Sequence, residues 1–209
     1  QVYKNYTVSK DYPRNEMDRF NQSSKAGFDL SNKEMMKTYL ENQDFLLKEQ
    51  QERGNNWLIS DFITLGSPLA YGELLMAESR ESFNERKKER ELPTNPPIRE
   101  KNGGVSYPQP FSSDPTSRER NIKMDIIHHA GHFAFTQWHN LYYKMDFVGG
   151  PLKNVFGNGI NDVLISSDSF KAKIPFIMHT NYWADPKKNK DIMRESIDYL
   201  KKVILKSEQ

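Results

Sequence analysis

The segment Trp57-Leu58-Ile59-Ser60-Asp61-Phe62-Ile63-Thr64-Leu65 is a short, β-rich apolar run that ends abruptly at Gly66-Ser67-Pro68. An apolar stretch of that length, bounded by turn residues, reads as a largely buried strand of the kind found in parallel sheets. Further strand-like runs follow at Gln137–Tyr143, Asp162–Ile165 and Ile174–Met178, the proline of the last favouring its start. Helical patterns lie around them. Ser31-Asn32-Lys33-Glu34 has the form of a capping box, with Ser at the N-cap and Glu at N3. Behind it Met35, Met36, Tyr39, Leu40, Leu46 and Leu47 recur at helical spacing up to a stop at Gly54. A second helix is expected from about Ala70 to Glu91, its mixed-charge second half forming a solvated face. A third follows the Asp185-Pro186 start signal and carries Met193, Ile197, Leu200 and Ile204 on one stripe.

Residues 1–30 are polar and aperiodic and read as a linker or flexible arm. Residues 93–120 hold six prolines and Gly103-Gly104, a composition that predicts a long surface excursion without a core element, of the kind that forms lids or binding loops. The resulting order is helix, strand, helix, excursion, three strands, helix. Strands separated by helices predict an α/β fold, a mainly parallel sheet flanked by helices. The strands are too few and too late in the chain for a complete doubly wound domain.

Composition narrows the function classes. Thirty basic and 28 acidic residues leave a net charge of +2 in 209 residues, without the one-signed excess expected of a nucleic-acid or anionic-membrane partner. There is no cysteine, which excludes disulfides and thiolate metal sites and is compatible with a reducing, cytoplasmic setting. No apolar run approaches a membrane span. The start, Gln1-Val2-Tyr3-Lys4-Asn5-Tyr6, has neither an initiator methionine nor an apolar signal core. It leads us to expect a piece of a longer protein.

Four settings have chemical potential. Asp146 follows a predicted strand and precedes Gly149-Gly150-Pro151, so it is placed to face the crevice beyond the carboxyl ends of parallel strands. It is equally placed to brace its own turn through side-chain-to-backbone bonds. His179 follows the last predicted strand and has the chemistry of a general base if a carboxylate orients its other nitrogen. His128 and His132 are four apart in His128-His129-Ala130-Gly131-His132, a metal-ligand spacing on a helix. Yet Gly131 interrupts the turn, no third ligand is spaced for the task and no His-Glu-x-x-His is present. Those histidines are expected to pack or hydrogen-bond beneath the excursion, and no metal or cofactor is expected. Finally, Ser67 sits between a strand and a helix as a nucleophile does at its elbow. It is followed by Pro68, which has no N–H to give an oxyanion hole, and no serine of the chain lies in G-x-S-x-G.

Taken in order, Phe62-Ile63-Thr64-Leu65-Gly66-Ser67-Pro68-Leu69-Ala70, His128-His129-Ala130, Trp138-His139-Asn140-Leu141-Tyr142 with Asp146-Phe147-Val148-Gly149-Gly150-Pro151, Phe156-Gly157-Asn158-Gly159-Ile160-Asn161-Asp162-Val163 and His179-Thr180-Asn181-Tyr182-Trp183 resemble the later part of lipase- or esterase-like α/β hydrolases. The resemblance covers roughly residues 57–183. It implies a partial α/β-hydrolase fold spanning 31–209, with Asp146 as the triad acid and His179 as the triad base in the chain order Ser…Asp…His. It also implies a small-molecule ester substrate and an acyl-enzyme formed on a serine in a missing N-terminal part of the same protein. The early strands, the elbow and the oxyanion-hole loop have no counterpart here, so the chain alone is expected to be inactive. The rival expectations are a hydrolase-fold module used only for interaction and a metal-dependent hydrolase built on His128 and His132.

Overall fold

Helix α1, Lys33–Glu52, starts at Asn32, whose side-chain oxygen accepts from the Glu34 and Met35 amides at 2.9 and 3.4 Å. Asn32 is thus the cap in place of Ser31, because Ser31 is taken by Asp29, to which both its amide and its hydroxyl donate. The helix stops where expected. Gly54 adopts φ 82°, and the Asn55 amide reaches back to the Gln50 carbonyl at 2.9 Å, a C-cap that glycine permits without strain. The computed structural model describes residues 29–52, 54–101, 104–111, 122–166, 179–180, 182 and 190–206. The arm expected at 1–30, the strand at 174–178 and the Asp185-Pro186 start lie almost wholly outside them.

The chain divides into two compact units, residues 1–60 with 84–137 and residues 61–83 with 138–209. In the first, Met36, Tyr39, Leu46 and Leu47 of α1 form a core with Leu30, Val105, Ile127, Ala134 and Phe135. An antiparallel ribbon, β2 (Ser106–Phe111) and β3 (Ile122–Ile127), belongs to it. This ribbon corrects the expectation that 93–120 holds no regular element; Leu92, Thr94, Asn95 and Val105 are also buried. Register explains why prolines are tolerated. The His128 amide donates to the Val105 carbonyl, which sets the odd-numbered residues of β2 to bond toward β3. Pro108 and Pro110 then fall on the outward-facing positions, where a missing N–H costs no ladder bond.

The second unit is built on a sheet in the order β1 (Asp61–Leu65), β4 (Gln137–Tyr143) and β5 (Asn161–Ile165). Strands β4 and β5 are parallel, from His139 opposite Asn161 to Tyr143 opposite Ile165. The bonds Gln137 N–H to Ser60 and Gly66 N–H to Leu141 climb both chains together and make β1 parallel as well. β4 is the central described strand and is buried on nearly every residue. β1 is at an edge, and the expectation of a buried strand over 57–65 is corrected there: Leu58 is 83% exposed and only Asp61–Leu65 pair.

Alternation assigns the two faces. Trp138 packs edge-on against Phe62 and at a tilt against Phe156, which in turn meets Phe83. On the other face Leu141, Tyr143, Ile165 and Tyr182 cluster with Ile63, Leu65, Val163 and Tyr199. Each large side chain so buried contributes roughly 1.5–3 kcal/mol. Tyr199 belongs to helix α5, Lys190–Lys206. The first face carries the single helical turn α2 (Gly72–Leu75), α3 (Arg80–Lys88) and the short α4 (Lys153–Phe156). The single helix expected over 70–91 is therefore broken, because the Ser79 hydroxyl accepts the Ser82 amide at 3.1 Å and caps a new start. Among the described residues no helix is long and apolar enough to cross a membrane.

Candidate functional site

Three backbone segments meet beyond the carboxyl ends of β1 and β4. The chain leaves β1 through Gly66 at φ 56°. A Cβ there would stand 2.3 Å from Tyr182 Cε2 and 2.9 Å from Asp146 Oδ2. Gly149, in the loop after β4, lies backbone to backbone on Gly66, since its own Cβ would fall 2.6 Å from the Gly66 Cα. Only glycine fits either position, and that close approach sets Asp146 beside the segment that carries His179 and Tyr182.

The structure brings the two sequence-predicted residues together. Asp146 Oδ2 lies 3.2 Å from His179 Nδ1. The aspartate side chain is wholly buried, and the histidine is 38% exposed. Asp146 also braces its own turn, because Oδ1 accepts the Val148 amide at 2.9 Å. The turn role and the histidine-facing role are divided between its two oxygens. His179 Nε2 has no hydrogen-bond partner among the described residues. The Tyr182 hydroxyl accepts the Tyr143 amide at 2.8 Å. Burial, reinforced by the Asp146 charge, pushes this phenol well above its ordinary range, so it remains neutral.

The far end of the Asp146 loop is tied down separately. Asp162 accepts the Leu152 and Lys153 amides at 2.9–3.0 Å and the Asn140 side-chain amide at 2.7 Å. Asn140 also donates to the Gly150 carbonyl. Asp162 is thus the cap of α4 and a brace for the loop. Asp168, another acid in the sequence, lies outside the described residues.

Ser67 has a different task. Its oxygen accepts the Leu69 amide at 3.3 Å and caps the 3-10 turn Pro68–Tyr71. The histidine cluster belongs to the first unit and is bonded to main chain. His128 reaches the Ile98 carbonyl, His129 that of Glu91 and His132 that of His129. His132 also stacks on Trp57 at 4.0 Å. Burial holds His128 down at about 4, so it is neutral at pH 7. Among the described residues no group of three or more potential ligands is arranged to hold a metal ion.

Sequence reasoning passed over a second histidine–aspartate pair, at the amino edge of the same sheet. His139 Nε2 lies 3.0 Å from Asp61 Oδ1, and Nδ1 lies 2.8 Å from the Tyr199 hydroxyl. Asn161 Nδ2 donates to that hydroxyl at 2.7 Å. With Asp61 accepting, Nε2 carries the hydrogen, Nδ1 accepts from Tyr199, and Asn161 donates into the chain. Burial, with the Asp61 charge adding to it, pushes the Tyr199 phenol up to about 12. The available signal was parity: Asp61, His139 and Asn161 each sit at or near the start of a strand, on the face that α5 covers.

No protein-family model, curated protein or solved structure matches this chain.

Proposed function

We propose that His179 and Asp146 are the general base and its orienting acid in a serine hydrolase of the α/β-hydrolase kind. It would act on small carboxylic esters through an acyl-enzyme whose nucleophile is not among the serines of this chain. His179 Nε2 takes the proton of the serine hydroxyl as it attacks the ester carbonyl, and returns it to the departing alcohol. The same nitrogen then activates the water that releases the acid. Asp146 keeps Nδ1 protonated, so that Nε2 is the basic nitrogen, and steadies the imidazolium that forms.

The observation that carries this reading is the 3.2 Å contact between a wholly buried carboxylate and a partly open imidazole. It lies beyond the carboxyl ends of parallel strands, the edge where open α/β sheets bind ligands. Ser67 does not compete for the nucleophile's role, because its oxygen is engaged as a cap and Pro68 offers no N–H. The test is a p-nitrophenyl ester assay run on the 209-residue chain and on the gene product as translated. Turnover is expected only where a G-x-S-x-G serine is present. Robust turnover by the 209-residue chain that disappears in Ser67→Ala would overturn the assignment.

A further inference from the structure

We propose that Asn140 is a positioning residue for the acid–base pair, its side-chain amide fixing the loop after β4 so that the Asp146 carboxylate is held against His179 Nδ1. The inference rests on the reading of Asp146 and His179 given above.

Asn140 lies in the middle of β4 and is wholly buried, a place where an amide persists only if its polar atoms are met. Three hydrogen bonds leave it in three directions. The nitrogen donates to the Gly150 carbonyl at 2.9 Å and to Asp162 Oδ1 at 2.7 Å, and the oxygen accepts the Thr64 hydroxyl at 2.9 Å. A main-chain carbonyl and a carboxylate only accept, so the nitrogen must face both and the amide has one orientation. An aspartate of the same shape would set oxygen against both. Asp162 is itself fixed by the Leu152 and Lys153 amides, which gives the tie to Gly150 a firm base. Gly150 carries with it the wall behind Asp146. A Cβ on its neighbour Gly149 would fall 2.6 Å from Gly66 Cα and 2.8 Å from Asp146 Oδ2, the oxygen that meets His179 Nδ1 at 3.2 Å. The near end of the loop is held by the Asp146 amide on the Tyr143 carbonyl and by the Val148 amide on Oδ1. The tie at Gly150 holds the far end. A hydrogen bond is lost by about 3.6 Å, so a retreat of Oδ2 by about 0.4 Å is enough to release His179.

The experiment reads the tautomer of neutral His179 in the 209-residue chain from its imidazole 15N shifts, in wild type, Asn140→Ala, Thr64→Val and Asp146→Ala. The Nδ1–H form should dominate in wild type and be lost in Asp146→Ala. Asn140→Ala should let His179 relax toward a mixture with the Nε2–H form. Thr64→Val removes only the bond to the amide oxygen, and should cost stability while leaving the wild-type tautomer in place. An equal shift in Thr64→Val and Asn140→Ala overturns the positioning role in favour of a general loosening of the sheet. Retention of the wild-type tautomer in Asn140→Ala, with Asp146→Ala losing it, overturns the role of Asn140 alone. Indifference of the tautomer to Asp146→Ala overturns the pair as well. Should Asn140→Ala not fold, Asn140→Ser, which keeps a hydroxyl but not two donors, should shift the tautomer in the same direction. An unchanged tautomer in that variant overturns the proposal.

Discussion

Two histidine–aspartate pairs occupy opposite edges of one three-stranded sheet, and they differ in what is left over. At the amino edge both His139 nitrogens are engaged, by Asp61 and by Tyr199, and the ring is 4% exposed. At the carboxyl edge Asp146 engages one nitrogen of His179, and the imidazole opens outward. The chemical types are identical, yet the first arrangement spends its bonding capacity tying β1, β4, β5 and α5 together. The second keeps a basic nitrogen available. A histidine–carboxylate contact is therefore no sign of catalysis until the second nitrogen has been accounted for.

The comparison breaks most visibly in activity. On the proposed reading, His179→Ala should cost about 10,000-fold in the kcat of ester hydrolysis, and about 1–3 kcal/mol of stability as the buried Asp146 carboxylate loses its partner. An ester assay paired with urea denaturation checks both. At the other edge, His139→Ala should lower the unfolding free energy by about 3 kcal/mol, because Asp61, Tyr199 and Asn161 lose a shared partner in a buried setting. A loss under 1 kcal/mol would mean that the amino-edge network is not structural.

His128 sharpens the contrast, being a buried histidine with no carboxylate beside it. Its folded value is about 4 against an ordinary 6.5, so between those limits the unfolded chain binds more protons. Stability should be complete above pH 6.5 and decline toward pH 4, by on the order of 2 kcal/mol. His128→Gln should flatten that part of the stability profile measured by urea titration. The smallest effect belongs to Tyr199→Phe, which removes one hydroxyl from the closed network. About 1 kcal/mol of stability should go, read as a shifted denaturation midpoint.

Strand β4 was legible from its β-prone residues Trp138, Leu141, Tyr142 and Tyr143, although Gln137, His139 and Asn140 interrupt the apolar pattern. Strand β1 was not, since Leu58 and Ile59 read as core although they lie outside the paired segment and are exposed. The strand at Ser106–Phe111 was hidden by its prolines, whose harmlessness depends on register. The cap of α1 shifted by one residue because Asp29 competes for Ser31, a contest between near neighbours that a capping template ignores.

The sequence by itself determined the local matters: the span of α1 up to Gly54, the strand at Gln137–Tyr143, the exclusion of thiolate chemistry, and Asp146 and His179 as the two residues with acid–base chemistry to pair. Tertiary structure decided which histidine meets which acid. Asp146 and His179 are 33 residues apart, and Asp61 and His139 are 78 apart. Hydrogen bonds act over about 3 Å, so such pairings come into being only when parallel strands align their ends and glycines let the following loops touch. No local preference along the chain encodes that convergence.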